Sequence, residues 1–361
     1  MSLAAGIVGL PNVGKSTLFN AVSGAGAAVA NYAFATIEPN VGAVPVPDPR
    51  LTALAALSRS ARVVPAAVEL VDIAGLAEGA SVGEGLGNRF LAQIREVDAL
   101  VHVVRCFEDE NIAHVYAHLE PVRDVEIVET ELLLADLEQV GRRVDRTART
   151  ARAGDRNARQ DAELAAALHA HLASGNPART FERDLDAFRD FGLLTAKPVL
   201  YVANVGESDL PDGNEHARAL RALAEKQGNE VIVVAAETEA QITELPPQER
   251  GEFLAALGLE QSGLDRLVAA AFRLLGLITF LTTGPKETRA WTVRAGTPAP
   301  AAAREIHSDI ERGFIRVEVI EFDDWVALGS EQAVKDAGRL RVEGRDYVIK
   351  DGDVVHYRFN V

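Results

Sequence analysis

The pattern of a phosphate-binding loop occurs close to the start of the chain. The segment 9–16 (GLPNVGKS) matches G-x-x-x-x-G-K-[ST], and it lies between a short apolar run and a helical pattern. Backbone N–H groups of such a loop, together with the helix N-terminus, surround phosphate oxygens. Lys15 is expected to reach the β- and γ-phosphates, and the Ser16 hydroxyl is expected to ligate Mg²⁺. The predicted nucleotide contacts are Asn12, Val13, Gly14, Lys15, Ser16 and Thr17.

A second chemical motif lies at the end of the next apolar run, 67–73, where the chain reads Asp72-Ile73-Ala74-Gly75. After a P-loop and a buried strand, Asp72 is expected to hold Mg²⁺ through a water molecule, and the Gly75 amide to meet the γ-phosphate during catalysis. Thr36 lies between the two motifs, where a switch threonine would close on Mg²⁺ and the γ-phosphate. Position alone is equally consistent with a plain loop hydroxyl at Thr36.

The residues that follow the apolar run 198–203 bear on which base is bound. GTPases of this class carry N-K-x-D there, and the Asp accepts two hydrogen bonds from guanine, whereas this chain has Asn204-Val205-Gly206-Glu207. The lysine that packs across the base is missing, and the longer carboxylate of Glu207 is misplaced for the paired donors of guanine. Asn pairs well with N6 and N7 of adenine. The motif Asn204, Val205 and Glu207 therefore favours adenine, although Asn204 alone would tolerate either base.

The position that orients the attacking water in Ras-like proteins is occupied by an alkyl side chain. Those proteins have Gln directly after D-x-x-G, and this chain has Leu76. Hydrolysis must therefore recruit another group or be slow. Two classes of function remain open on this evidence, an ATP hydrolase and a nucleotide-gated RNA-binding adaptor with vestigial hydrolysis. An ordinary GTPase is a third class, which Val205 and Glu207 oppose.

Apolar runs alternate with helical patterns over most of the chain, which predicts an α/β fold. Such alternation indicates a mostly parallel sheet with helices on both faces, as in P-loop NTPase domains. Near Leu277 the pattern changes to short alternating runs that are typical of a small β-rich domain. Its last two runs, 346–349 and 354–360, are predicted to form a hairpin around the turn 351–353. The buried-strand candidates of the first part are residues 4–9, 67–73, 99–106, 198–203 and 231–236.

Polar and alanine-rich helical sequence interrupts this alternation from about residue 125 to 191. Apolar side chains recur there with the spacing of a two-helix coiled coil, at Leu133, Leu137, Val140 and Val144. The break at 174–177 (SGNP) is predicted to begin the return helix or its approach, giving an inserted helical hairpin. Seven arginines minus two acids, Asp145 and Asp155, leave a local charge of +5, which suits RNA phosphates or a solvated helix face. The arginines are Arg142, Arg143, Arg146, Arg149, Arg152, Arg156 and Arg159.

Composition restricts the setting in which this chain works. The 37 basic and 53 acidic residues give a net charge of −16, which disfavours a general nucleic-acid coat protein. Cys106 is the single cysteine of the sequence, which excludes an intramolecular disulfide and a cysteine metal site. No run of eighteen apolar residues occurs, and the amino-terminal run lacks the basic segment of a signal peptide. We expect a cytoplasmic protein without a membrane or DNA partner, and a monomer.

Several segments together resemble the YchF/Obg-like ATPase family. They are GLPNVGKST, DIAGL, the loop 107–115 (FEDENIAHV), NVGE in place of N-K-x-D, GPKETRAWTVRAGTPAP, HSDIERGF and DGDVVHYRFNV. The resemblance covers essentially the whole chain. It implies an Obg-type P-loop domain (1–124 and 195–276), an inserted coiled-coil arm (125–194), and a C-terminal TGS domain of ubiquitin-like β-grasp shape (277–361). It also implies ATP in preference to GTP, stimulation by K⁺, and binding to the ribosome and its RNA, which we expect through the arm and the TGS domain.

The same resemblance implies roles for three polar residues. The family places a histidine in the loop 107–115, so His114 is the candidate that orients water, with a mobile surface histidine as the alternative. In related potassium-dependent enzymes an Asn ligates the cation at the position of Asn12, whose alternative is a turn residue. Thr36 becomes the expected Mg²⁺ ligand on the same ground. The function expected is a Mg²⁺-dependent ATP hydrolase that works as a nucleotide-gated, ribosome-associated switch.

Overall fold

The computed structural model describes residues 3–29, 40–73, 88–116, 118–151 and 156–360. The chain divides into two compact units. The first comprises Met1–Gly42 and Glu69–Leu267, and the second comprises Ala43–Val68 and Val268–Val361.

Strands and helices alternate through the first unit and cluster by type in the second. The strands are β1 (Ala4–Val8), β2 (Val41–Pro45), β3 (Val63–Val64), β4 (Ala67–Asp72), β5 (Ala99–Arg105), β6 (Val199–Asn204), β7 (Glu230–Val234), β8 (Leu277–Thr282), β9 (Thr288–Arg294), β10 (Phe314–Ile320), β11 (Arg341–Glu343) and β12 (Val354–Phe359). The helices are α1 (Lys15–Val29), α2 (Pro49–Ser58), α3 (Asn88–Glu96), α4 (Pro121–Ala151), α5 (Arg156–Ala173), α6 (Glu215–Gln227), α7 (Ala236–Glu244), α8 (Pro247–Ala256), α9 (Gly263–Leu274), α10 (Ala299–Ile306), α11 (Ser308–Arg312), α12 (Phe322–Leu328) and α13 (Glu331–Asp336).

The sheet that positions the candidate site has the strand order β2-β4-β1-β5-β6-β7. Strand β1 pairs in parallel with β4 and β5, and the β5–β6 and β6–β7 pairs are also parallel. Every residue of β5 and β6 is buried, as expected for central strands covered by helices on both faces. Because the strands are parallel, the ends of β1, β4, β5 and β6 meet at one edge, where open α/β sheets bind their ligands. The predicted α/β P-loop fold is confirmed.

The inserted arm is the helix pair α4 and α5. The predicted seam lies between them, because Val140 on α4 is fully buried against Leu168 and Leu172 on α5, with Leu133, Leu137 and Val144 packed alongside. The two helices run in opposite directions. Gly141 lies beside the ring of His169, and Arg143, two residues nearer the hairpin end, is paired with Asp161.

The break at 174–177 follows the return helix of the arm, whereas the sequence predicted that the break begins this helix or its approach. The return helix is α5, which begins at Arg156, and the break ends it. Gly175 has φ +83°, a conformation that favours glycine, and Pro177 lacks the N–H needed to continue a helix. The alanine-rich segment before the break forms the helix, because alanine has the highest helix propensity.

The second unit contains a mixed sheet with the order β11-β10-β12-β8-β9-β3. Strand β12 pairs antiparallel with β10 and parallel with β8, as in the β-grasp fold that the family resemblance implies. Helices α10 and α11 cover one face, where Phe280, Phe314 and Tyr357 form the centre of the core. The predicted hairpin of 346–349 with 354–360 is wrong. The chain does turn at Gly352, but Val348 bridges to Pro298, and β12 pairs with β10 instead.

Residues 43–68 belong to the second unit, although the expected domain boundaries place them in the P-loop domain. Arg50 on α2 donates to Asp351 Oδ2 at 2.8 Å and to Thr279 Oγ1 at 2.9 Å. Ser60 Oγ donates to the Gly284 carbonyl at 2.7 Å, and β3 pairs with β9. These partners lie more than two hundred positions apart in the sequence, so no local pattern indicates that they meet.

Candidate functional site

The phosphate-binding loop connects β1 to α1 through a backbone that requires glycine at two places. Gly9 has φ +148° and Gly14 has φ +97°, values that side-chain-bearing residues rarely adopt. A Cβ atom on Gly14 would lie 2.3 Å from Asn204 Nδ2, and one on Gly9 would lie 2.3 Å from the Val103 carbonyl oxygen. The loop can adopt this shape because both positions lack a side chain.

Lys15, the first residue of α1, is buried beneath this loop. Its side chain is only 7% exposed, and Nζ donates to the Leu10 carbonyl at 2.7 Å, across the loop. Burial lowers the pKa of the Lys15 ammonium to about 8, and the negative charge of Asp72 partly opposes the shift. The site thus holds a poorly solvated cation where an anionic ligand would compensate for the lost water.

Ser16 and Asp72, the two predicted Mg²⁺ residues that the structure describes, lie together. Ser16 Oγ donates to Asp72 Oδ2 at 3.2 Å. The other carboxylate oxygen, Asp72 Oδ1, is buried and has no hydrogen-bond partner among the described residues. Buried polar atoms are nearly always satisfied, and Mg²⁺ binds through one or two protein oxygens while it keeps several waters. A hydroxyl beside a carboxylate with an unsatisfied oxygen fits that ion.

Three predicted residues of the phosphate side lie outside the described residues. They are the switch threonine Thr36, the Gly75 amide and Leu76, which replaces the water-orienting Gln. Their roles stay predictions.

A cavity of about 400 Å³ opens beside the phosphate-binding loop, large enough for a purine base. Four loops converge on it, and they follow β1, β5, β6 and β7. Val205 is 3% exposed and forms part of the wall in the place of the usual lysine. The lining residues include Asn12, Gly14, Thr17, Phe107, Asp109, Ile112, Asn204, Val205, Glu207 and Thr238.

The side-chain amide of Asn204 forms hydrogen bonds to the backbone, whereas the sequence predicted that it pairs with N6 and N7 of adenine. Its Nδ2 donates to the Val13 carbonyl at 2.9 Å, and its Oδ1 accepts from the Ala236 N–H at 3.0 Å. One N–H of the amide is left over, which is enough for a single hydrogen bond to a base nitrogen. In this geometry Asn204 ties the phosphate-binding loop to the start of α7.

The carboxylate of Glu207 is held at the rim of the cavity. Oε2 accepts a hydrogen bond from Thr238 Oγ1 at 3.2 Å, and Thr238 itself is 3% exposed. This contact fixes a negative charge near the edge of the space that a base would occupy.

Sequence reasoning missed the loop after β5 as part of the cavity wall. Arg105 ends the strand, is 4% exposed, and donates to three carbonyls of that loop. The available signal was a charged residue that closes the otherwise apolar run 99–106. By itself, that signal does not reveal which groups the charge contacts.

Two family models match the chain. The model described as a 50S ribosome-binding GTPase matches residues 4–135. The model of the YchF GTPase C-terminal domain, described as a protein of unknown function (DUF933), matches residues 277–360.

Full-length relatives carry the name ribosome-binding ATPase YchF. The proteins of Haemophilus ducreyi and Bacillus subtilis are each 50% identical to this chain, and both alignments cover the whole of both sequences. The chain belongs to the YchF family. The family member of Escherichia coli O157:H7 is 47% identical, again over the whole of both sequences.

Solved structures agree with this family assignment. The Schizosaccharomyces pombe YchF GTPase is similar with a TM-score of 0.90 and 35% identity, over 99% of this chain and 98% of that one. A GTP binding protein from Pyrococcus horikoshii has a TM-score of 0.62 at 20% identity over the whole of both chains, which shows the fold alone.

His114, the histidine of the YchF-type loop, is held rather than mobile. Nε2 lies 3.0 Å from Asp124 Oδ2, and Nδ1 lies 3.1 Å from both the backbone nitrogen and the carbonyl oxygen of Tyr116. The His114 side chain is 11% exposed. Both ring nitrogens have partners, so in this arrangement neither one is free to orient a water molecule.

Asn12, the predicted K⁺ ligand, connects the phosphate-binding loop to the histidine loop. Its Nδ2 donates to the Ala113 carbonyl at 3.1 Å, directly before His114. The residue has φ +61°, which Asn tolerates better than most side chains. The hydrogen bond leaves the side-chain oxygen Oδ1 as an acceptor that a cation could use.

The arginines of the arm do not form one uniform face. Arg143 is 15% exposed, pairs with Asp161, and lies over the rings of Phe188 and Phe191, so it helps to pack the arm. Arg142 is 66% exposed. Arg152 and Asp155 lie outside the described residues. The other exposed arginines are Arg146, Arg149, Arg156 and Arg159.

Among the described ranges, no helix is both long enough and apolar enough to cross a lipid bilayer.

Proposed function

We propose that this chain hydrolyses Mg²⁺-bound ATP, prefers ATP over GTP, and contacts the ribosome in a way that depends on the bound nucleotide. The observation that carries the proposal is a buried lysine and a hydroxyl–carboxylate pair on the phosphate-binding loop and the adjacent strand, next in sequence to Gly14 and Thr17, which line a base-sized cavity. Relatives identical at half of their positions, over the full length, are named ribosome-binding ATPases.

The chemistry would be in-line attack of water on the γ-phosphate. Phosphoryl transfer depends mainly on positioning and on stabilisation of charge over the phosphate oxygens. Lys15 would exchange the Leu10 carbonyl for the β- and γ-phosphates, and Ser16 and Asp72 would hold Mg²⁺, which neutralises the phosphate charge when it is bound. The switch residues Thr36 and Gly75 would complete the γ-phosphate contacts.

The preference for adenine rests on Val205 and Glu207. Glu207 has a longer side chain than the Asp that reads guanine, and Thr238 holds its carboxylate at the cavity rim, so it would be misplaced for the paired donors of guanine and could accept from the N6 amino group of adenine. Val205 offers an apolar wall in place of the lysine that crosses the base in GTPases. Asn204 would add one hydrogen bond from its remaining N–H.

His114 is the proposed water-orienting group, and it must leave Asp124 to do this work. His114→Ala is expected to lower turnover by about tenfold or more while ATP affinity stays within twofold, since one positioned acid–base group contributes about 10²–10⁴ in rate. His118→Ala, an exposed histidine four residues away, is the control. Steady-state phosphate release and calorimetry would measure both quantities. Full turnover in the His114 variant would assign hydrolysis to other groups.

Potassium has a proposed place beside the phosphates. The Asn12 side-chain oxygen would ligate K⁺, which supplies positive charge where other enzymes use an arginine finger. ATP turnover by the wild-type protein should be faster in K⁺ than in Na⁺. ATP turnover by the Asn12→Ala variant should be equally fast in the two salts.

The ribosome contact would use the exposed arginines near the hairpin end of the arm, together with the C-terminal unit. Phosphate release from ATP, measured with and without ribosomes, tests the proposal. An ATP hydrolase of this type should turn over ATP in a Mg²⁺-dependent manner, and ribosomes should change that rate. Nucleotide-dependent sedimentation with ribosomes in the absence of any turnover would favour the second candidate function, a nucleotide-gated RNA-binding adaptor. That candidate is supported by His114, because both of its ring nitrogens already have hydrogen-bond partners.

A further inference from the structure

Arg105 is a buried cation whose hydrogen bonds all go to a single loop. The residue ends β5 and is 4% exposed. Its Nε donates to the Phe107 carbonyl at 3.0 Å, Nη1 to the Ile112 carbonyl at 3.0 Å, and Nη2 to the Asp109 carbonyl at 3.1 Å. Each guanidinium nitrogen therefore holds a different point of the loop.

The charge of Arg105 is compensated by dipoles and a ring rather than by an acid. Among the described residues, none of the ion pairs includes Arg105. Its guanidinium carbon lies 4.6 Å from the centre of the Phe107 ring, within the range of a cation–π contact. A buried cation is costly unless its hydrogen bonds are satisfied. The planar guanidinium fork gives each of its three nitrogens a carbonyl partner, a geometry that a lysine ammonium does not reproduce.

The three residues whose carbonyls Arg105 holds are the residues that this loop contributes to the cavity. Phe107, Asp109 and Ile112 line the cavity together with Val205 and Glu207. Among the described residues, the turn itself is closed by the backbone hydrogen bond from the Ile112 N–H to the Asp109 carbonyl at 3.3 Å and by the Asp109 side chain, whose Oδ1 accepts from the Asn111 N–H at 2.8 Å. The guanidinium adds three hydrogen bonds beneath this turn and ties it to the end of β5.

We propose that Arg105 is the positioning residue that preforms the base-binding wall of the nucleotide cavity. The side chain acts through the loop and does not touch the nucleotide. The proposal rests on the proposed function, because it takes the cavity as the site of a purine base. A preformed wall lowers the conformational entropy that is lost on binding. A loop without the hydrogen bonds of Arg105 must be ordered each time a base binds.

This role separates binding of the base from binding of the phosphates. The phosphate-binding loop, Lys15 and Ser16 make no hydrogen bond to Arg105 in the described chain. Loss of the brace should therefore weaken ligands that carry a base and spare ligands that consist of phosphates alone. A residue that only stabilises the fold would weaken both kinds of ligand equally.

The test compares Mg·ATP with inorganic tripolyphosphate on full-length Arg105→Gln by titration calorimetry. We expect the Kd for Mg·ATP to rise tenfold or more and the Kd for tripolyphosphate to stay within twofold. KM for ATP should rise as well. Arg105→Lys keeps the charge without the fork, and it should show the same selective loss, which carries the test if the Gln variant does not fold.

Arg250→Gln is the matched control. Arg250 also donates from Nε and Nη2 to backbone carbonyls, those of Leu245 and Thr243, but it does not line the cavity. It should leave both affinities unchanged. An unchanged Kd for ATP in both Arg105 variants, or equal losses for ATP and tripolyphosphate, would overturn the proposal. Wild-type protein that binds tripolyphosphate but not ATP would refute the proposed function, and the role of Arg105 with it.

Discussion

Lys15→Ala is expected to weaken binding of Mg·ATP by at least about 100-fold. The variant removes a buried ammonium that would make two charge-assisted hydrogen bonds, each contributing about 1.5–3 kcal/mol. The contact with the Leu10 carbonyl shows that the ammonium already lies across the phosphate-binding loop. Calorimetric titration of the two proteins measures the difference. Lys226→Ala, an exposed lysine on α6, is the control, and a wild-type Kd in Lys15→Ala would place the triphosphate elsewhere.

The same lysine predicts how nucleotide affinity depends on pH. Burial lowers the pKa of Lys15 to about 8 in the free protein, and a bound polyphosphate must raise it by favouring the ammonium form. Binding then takes up a proton above pH 8. Affinity should be nearly constant below about pH 7 and should fall by up to about tenfold per pH unit above pH 8. In Lys15→Ala this decline should disappear.

Asp72→Asn is expected to raise the Mg²⁺ concentration for half-maximal turnover by at least about tenfold and to lower turnover by about 100-fold. The substitution keeps the size of the side chain but removes the charge that would hold the ion, and Mg²⁺ prefers anionic oxygen ligands. The buried, unsatisfied Asp72 Oδ1 is the structural reason. Turnover measured across a Mg²⁺ series gives both values.

Asp98→Asn provides the control for Asp72. Asp98 Oδ2 accepts from the Ala4 N–H at 3.1 Å, at the opposite end of β1 from the phosphate-binding loop. Its substitution should leave the Mg²⁺ dependence unchanged. An unaltered Mg²⁺ series in Asp72→Asn would contradict the proposed metal site.

Local patterns in the sequence predict the parts of this molecule that short segments determine. The P-loop follows from eight consecutive residues, and the Lys15 side chain lies where that spacing puts it. The seam of the arm follows from helical periodicity, and Val140 is buried where the spacing predicts. Parallel pairing of β1 with β4 brings Asp72 to the same edge as the loop, so the Ser16–Asp72 pair follows from strand order.

Contacts that join distant segments could not be predicted in this way. The sequence shows an Asn after a buried strand but not that the Val13 carbonyl and the Ala236 N–H use its amide. It shows Arg105 near the end of the apolar run 99–106, but it does not show that the guanidinium donates to three backbone carbonyls of the following loop. The sequence predicts His114 to be either mobile or catalytic, and its hydrogen bond to Asp124 depends on where α4 begins relative to the loop. In each case the partner is selected by the tertiary packing.

The most direct test of ATP hydrolysis at this site is a comparison of kcat/KM for ATP and GTP with the same wild-type preparation. The proposed preference for ATP rests on the apolar Val205 wall of the cavity and on the Glu207 carboxylate that Thr238 holds at its rim. We expect kcat/KM to be at least about tenfold higher for ATP, which corresponds to about 1.4 kcal/mol. Turnover should be lost with both nucleotides in Lys15→Ala. Equal values for ATP and GTP, or a higher value for GTP, would contradict the proposed function.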